Sequence, residues 1–239
     1  MKKLLLSFFV IAITGNIVLA QKAINDPNAE KRTVSSFHGI DVATGIELTL
    51  TEGSGEEVAV SASSTEFRDK IITKVDNGIL KIYYETKLGS VNKKKESKDL
   101  KAYVSYKTLD MLNANTGAEV KINGTLKSAY LDLKANTGAL VNGEVDINTL
   151  KVSQNTGSKV TLSGRADKLD IDGDTGSKFK GEEMSTSNCN ITVSTGAMVS
   201  VKAEKELQIK ANTGGIVKYK GNAVIKEIKT NTGGSVTKI

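Results

Sequence analysis

Seven Thr-Gly dipeptides recur along the second half of the chain: Asn115-Thr116-Gly117, Asn136-Thr137-Gly138, Asn155-Thr156-Gly157, Asp174-Thr175-Gly176, Ser194-Thr195-Gly196, Asn212-Thr213-Gly214 and Asn231-Thr232-Gly233. The steps between them are 21, 19, 19, 20, 18 and 19 residues. A fixed period near twenty is the signature of a solenoid, in which each thin repeat buries its apolar face only by stacking on its neighbours. The flanking positions repeat as well. Three places before the motif stand Leu112, Leu133, Val152, Ile171, Ile191, Ile209 and Ile228, and three places after its glycine stand Val120, Val141, Val160, Phe179, Val199, Val217 and Val236. The residue directly after the glycine is always small: Ala118, Ala139, Ser158, Ser177, Ala197, Gly215 and Gly234.

These columns predict coils of two or three short strands, stacked at the roughly 4.8 Å spacing of hydrogen-bonded strands, so that seven coils rise about 34 Å. The aliphatic columns form the interior. The glycine takes a positive φ where the chain turns, and stacked Asn and Thr side chains are expected to hydrogen-bond between coils, as polar ladders do in cross-β assemblies. A second set of glycines, Gly124, Gly143, Gly164, Gly181 and Gly221, predicts another corner. Aromatics make up only 5% of the chain, which suits narrow layers filled by Val, Ile and Ala. Cys189 is the single cysteine, so no intrachain disulfide forms. It falls in a column otherwise filled by Leu, which predicts a small buried apolar side chain.

The first half alternates with period two through Ile40 and Val42, then Ile46, Leu48 and Leu50, then Val58 and Val60, the pattern of strands with one buried face. Ala43-Thr44-Gly45 repeats the later grammar, which predicts that the solenoid opens there. Asp76-Asn77-Gly78 between two β-branched runs predicts a hairpin, Ile71–Val75 with Ile79–Tyr84. Residues 87–99 are charged and irregular, a loop, and almost no helix is expected. Residues 1–20 have the three parts of a secretory signal: basic Lys2-Lys3, an apolar run from Leu4, and Val18-Leu19-Ala20 at the cleavage site. The run is too short for a permanent anchor, and no cysteine follows it to carry a lipid. Residues 21–34 read as a flexible lead-in and residues 35–239 as one solenoid. No later segment has transmembrane length, so the expected location is the periplasm or the cell surface.

Candidate chemistry is sparse. The formal net charge is +6, about +4 without Lys2 and Lys3, and along the chain the lysines are interleaved with acids. No nucleic-acid-binding motif is present, and a nucleic-acid partner is not expected. Lys93-Lys94-Lys95 reads as a solvated run diluted by Glu96 and Asp99. His38 is the lone histidine, without a second His or a Cys for a metal set, and no Gly-x-Ser-x-Gly elbow accompanies it. Asp170, Asp172 and Asp174 share one strand face, a geometry that could bind a hard cation such as calcium; the competing reading is a hydrated face with Leu169 and Ile171 turned inward. No cofactor motif is found, and no catalytic or metal residue is assigned.

Phe37-His38-Gly39-Ile40-Asp41-Val42, the run Ile71 to Tyr84 and the later Thr-Gly coils together resemble the family called putative auto-transporter adhesin, head GIN domain. That family usually has Ser-Gly where this chain has Thr-Gly. The resemblance implies an all-β fold, a right-handed parallel β-solenoid, here with about 19–20 residues per coil, and an adhesin-like role. The sequence closes inside a repeat at Thr237-Lys238-Ile239, without the ten-residue alternating segments of a membrane barrel, so delivery to a surface is expected to depend on another machine. The resulting expectation is an exported, non-catalytic binding or structural module that presents a repetitive face to an envelope protein or glycan. Val236 and Ile239 lie in a last coil without an evident cap, which adds self-association through the solenoid ends. The alternative is a calcium-assisted, lyase-like enzyme acting on polysaccharide.

Overall fold

A computed structural model describes residues 26–85 and 97–239. The expected signal segment, residues 1–20, and most of the expected loop at 87–99 lie outside the described residues. In chain order the elements are β1 (Glu30–Arg32), β2 (Gly39–Val42), β3 (Glu47–Glu52), β4 (Glu57–Ser61), the one-turn helix α1 (Thr65–Arg68), β5 (Ile71–Asp76), β6 (Ile79–Tyr84), β7 (Lys101–Tyr106) and β8 (Met111–Ala114). Long strands that bend around a corner follow: β9 (Glu119–Ala135), β10 (Leu140–Gln154), β11 (Lys159–Gly173), β12 (Lys178–Val193) and β13 (Met198–Ala211). The chain ends with β14 (Ile216–Lys220), β15 (Val224–Thr230) and β16 (Ser235–Lys238). The strands from β8 to β16 pair in parallel, coil upon coil, and the whole is a β-solenoid of about seven turns.

The stacking follows the expected columns. Leu112, Leu133, Val152, Ile171, Ile191, Ile209 and Ile228 are register partners in succession. So are Val120, Val141, Val160, Phe179, Val199, Val217 and Val236. Within the stack these side chains are almost wholly buried. Ala43-Thr44-Gly45 does open the solenoid: β2 pairs with β8, and β3 with β9. The expected hairpin also forms, β5 against β6, with Asn77 and Gly78 both at positive φ.

The turn geometry departs from expectation. Threonine as well as glycine is left-handed, at φ 50° and 71° for Thr116 and Gly117 and at similar values in the later turns. The Ala118 N–H donates to the Asn115 carbonyl at 3.1 Å. Two left-handed central residues closed by such a bond make a primed turn, whose twist matches that of the strands it joins. The threonine ladder therefore runs through backbone: Gly117 N–H donates to the Thr137 carbonyl at 2.9 Å, and the later turns repeat the bond to the next coil as far as Gly214 to Thr232. Asparagine side chains do bridge coils, from Asn136 to Asn115 and from Asn231 to Asn212, whereas the Asn155 oxygen bonds its own Thr156 instead.

The second glycine corner is a partial correction. Gly124, Gly164 and Gly221 have positive φ; Gly143 and Gly181 do not. Gly143 is in register with Leu162 rather than with Gly164. Register shifts gather at this corner, for example between Asn142 and Glu144 where β10 meets β9. The corner absorbs the one- and two-residue differences in coil length, so the apolar columns on either side stay aligned.

The N-terminal end is closed by a layer that sequence order does not announce. β2 lies between β6 and β8, and β3 between β7 and β9, so the chain's second pass sits outside its first. Antiparallel β5 and β4 flank that layer, and β1 pairs with β4. The described part of the expected lead-in thus contributes one short strand, Glu30–Arg32, to the sheet. Arg68 holds it there, pairing with Glu30 at 2.7 Å and donating to the Asn28 carbonyl at 3.3 Å, and the Tyr103 hydroxyl donates to Asp26 at 2.8 Å.

Candidate functional site

Each coil presents two outward strand faces, one before the Thr-Gly turn and one after it. Alternation along the strands fixes which side chains each face carries.

The face before the turn is electrically balanced. One column runs Asp132, Lys151, Asp170, Asn190, Gln208, Glu227, so that no two acids are adjacent. Its acids are also paired sideways: Lys168 with Asp170 at 3.1 Å and Lys134 with Asp132 at 3.2 Å. Glu227 accepts from Gln208 at 2.7 Å and pairs with Lys229, and these contacts, Lys229 first, lower its pKa. A shallow depression of about 120 Å³ crosses this face between Lys168, Asp170, Asn188, Glu206 and Lys226. That is well below the roughly 300–1,000 Å³ of small-molecule pockets.

The expected acidic trio lies on this outer face, but its members do not converge. Asp170 sits between Lys151 and Asn190 in register, and Asp172 between Ser153 and Thr192. Asp174 caps its own turn. Hydroxyl donation from Thr195 and Ser194 and the Thr175 N–H hold its carboxyl below the ordinary value. Among the described residues no three His, Cys, Asp or Glu side chains come close enough to share a metal ion. Cys189 is buried beneath the depression, in register with Leu169 and Leu207, and burial raises its thiol pKa. His38 Nδ1 lies 2.7 Å from Asp110, with both side chains half exposed. Among the described residues no hydroxyl or thiol is hydrogen-bonded to its other ring nitrogen.

The face after the turn is different. One column runs Glu119, Leu140, Lys159, Lys178, Met198, Ile216, and the next runs Lys121, Asn142, Thr161, Lys180, Ser200, Lys218. Lys159 is thus stacked directly on Lys178, one rung or about 4.8 Å away along the backbone. Lys180 shares the same face of β12. Directly opposed like charges destabilise a sheet, and among the described residues Lys121, Lys159, Lys178, Lys180 and Lys218 have no ion-pair partner. Glu119 heads the first column, two rungs from Lys159 and in register with Glu47; the other acids near this surface lie toward the second corner and are occupied: Glu144 accepts from Thr125, Glu183 pairs with Lys220, and Glu204 with Lys202. Leu140 and Met198 are exposed beside the lysines. Counted along the chain, lysines and acids alternate; folded, the balanced pairs go to one face and the unmatched lysines to the other. This surface was not singled out from the sequence, although positions relative to each Thr-Gly motif identify it once residues are sorted by column.

The family model described as putative auto-transporter adhesin, head GIN domain, matches residues 36–223, well over half of the chain. The chain belongs to this family. Solved structures support the head GIN fold. A putative adhesin from Bacteroides fragilis aligns with a TM-score of 0.73 at 17% identity, covering 88% of this chain and 95% of that one. One from Parabacteroides merdae gives 0.69 at 14% identity, covering 88% and 95%. A protein from Parabacteroides distasonis described as a putative lipid binding protein gives 0.65 at 17%, covering 90% and 98%. No curated protein sequence matches. The head GIN match and these neighbours give no support to the lyase-like alternative, and Asp170 and Asp172 have no acid in register on either neighbouring coil. Among the described residues no helix is long and apolar enough to cross a membrane.

Proposed function

We propose that this head GIN protein is an exported, non-catalytic envelope module that binds polyanionic glycan along the face after the Thr-Gly turns. Residues 1–20 act as the export signal, and residues 35–239 form the single binding solenoid. The observation that carries the reading is the stacking of Lys159 on Lys178 beside Lys180, with no acid in register to neutralise them. On the other face a stack of like charges, Lys210 on Lys229, is neutralised by Glu227, whereas among the described residues no ion pair offsets the opposition of Lys159 and Lys178. A polymer with repeated carboxylate, sulfate or phosphate groups offers the missing counter-charge along the direction of the stack, and Leu140 and Met198 supply apolar contact beside it. Membership in an adhesin-named family agrees with a surface that holds another molecule.

The test is retention on immobilised heparin or polygalacturonate, with neutral dextran as control. The K159E/K178E/K180E protein is expected to bind roughly tenfold or more weakly, while K151E/K168E, altered on the balanced face, binds like the parent. Added salt weakens the parent interaction by screening. Equal binding by both variants, or equal retention on dextran, overturns the proposal.

A further inference from the structure

The two ends of the solenoid are built differently. The N-terminal end is closed by the antiparallel strands β4 and β5 and by the short, charged β1. At the other end, among the described residues, β15 pairs only with β13, and β16 only with β14. There the interior columns surface. Ile228 is 41% exposed although its register partner Ile209 is fully buried, and Ile225 is 40% exposed above a buried Leu207. Val224 and Ile239 are more exposed still. Open backbone edge and uncovered aliphatic side chains together form a template for another strand.

The chemistry of β15 indicates which strand. Asn231 turns its N–H back to the Ala211 carbonyl at 2.9 Å. Backbone direction alternates along a strand, so Ile228, three residues earlier, turns its N–H and C=O toward the open edge. Glu227 and Lys229 stand on either side of it. We infer that two copies of this chain associate tail to tail about a two-fold axis at Ile228, joining β15 to its copy as antiparallel strands. At that register Ile228 faces Ile228 as a hydrogen-bonded pair. Glu227 then lies opposite the partner's Lys229, and Lys229 opposite the partner's Glu227, so both charge contacts are complementary and identical by symmetry. The aliphatic column of Ile209 and Ile228 continues across the axis. Head-to-tail stacking has no such match, because it would bring β15 and β16 against the charged strands that close the other end.

This inference is independent of the glycan reading; dimerisation and polyanion binding involve different residues and are measured separately. Sedimentation of the purified chain from about 1 µM to about 1 mM is expected to show a reversible monomer–dimer equilibrium that stops at the dimer. E227K alone places Lys against Lys twice, and K229E alone places Glu against Glu twice; each is expected to weaken the dimer roughly tenfold or more. The swap E227K/K229E restores the complementary pattern and is expected to recover association. As a second readout, a spin label at T230C, four residues from its copy along the paired strands, should give an intermolecular distance below about 25 Å. A monomer at every concentration, growth into long polymers, a dimer indifferent to single reversal, or a swap that fails to rescue overturns the inference.

Discussion

Gly157 and Gly164 both have positive φ, yet replacing each by alanine should cost different amounts for different reasons. At Gly157, φ is +69° and an added Cβ meets nothing within 4 Å. The cost is therefore the intrinsic one of holding an L-residue left-handed, about 1–2 kcal/mol, offset in part by the lower entropy of the unfolded chain, about 0.4–1 kcal/mol. A net loss of about 1 kcal/mol lowers Tm by roughly 2–4 °C in a chain of this size. At Gly164, φ is +98° and the new Cβ would lie 2.1 Å from the Val145 carbonyl oxygen and 3.1 Å from the Glu144 Cγ. That oxygen belongs to the backbone of the adjacent coil, so relief requires the two coils to separate locally. Overpacking of about 1–3 kcal/mol adds to the backbone cost, for a total of about 3 kcal/mol or more. Urea and thermal unfolding followed by circular dichroism measure both variants. Equal losses, or a larger loss for Gly157→Ala, would contradict the assignment of the Thr-Gly turn to conformation and of the second corner to close coil approach.

Val160, fully buried between Val141 and Phe179, should lose about 2 kcal/mol on truncation to alanine; Val236→Ala, in the open last coil, should lose under about 1 kcal/mol by the same denaturation assay. Burial, and then the hydrogen bond to Asp26, raise the Tyr103 pKa from 10.0 to about 12. The folded state favours the neutral phenol, so this stabilisation is complete below pH 10 and is lost as pH rises through 12. In an ultraviolet phenolate titration Asp26→Asn should bring Tyr103 down toward its ordinary value. The Asp146–Arg165 contact at 2.9 Å is solvent-exposed, and Arg165→Ala should change stability by less than about 0.5 kcal/mol.

The stacked coils were legible because one period carries four kinds of constraint at once: turn, small residue and two aliphatic columns. Asn77-Gly78 likewise specified its hairpin locally. The order of the first layers was not legible. Equivalent columns say which residues can stack but not on which side, and β6–β7 settled outside β2–β3 because the hairpin and the long excursion return the chain there. The left-handed threonines were missed because a β-branched residue rarely adopts that conformation; the closing hydrogen bond and the coil-to-coil ladder impose it at seven successive turns, and Thr44 takes it too where Gly45 N–H donates to the Thr116 carbonyl. Glycines at the second corner did not align because that corner takes up the variation in coil length. The lysine face was hidden for another reason. Charge was read along the chain, where Lys159 and Lys178 are nineteen residues apart, whereas the fold makes them neighbours.

Lysine acetylation footprinting with and without a heparin fragment tests the functional reading most directly, residue by residue. Protection is expected at Lys121, Lys159, Lys178, Lys180 and Lys218, with Lys151, Lys168 and Lys210 on the balanced face reacting as before. Protection spread evenly over both faces, or confined to the balanced one, would mean that the unmatched lysines are not where the protein meets its ligand.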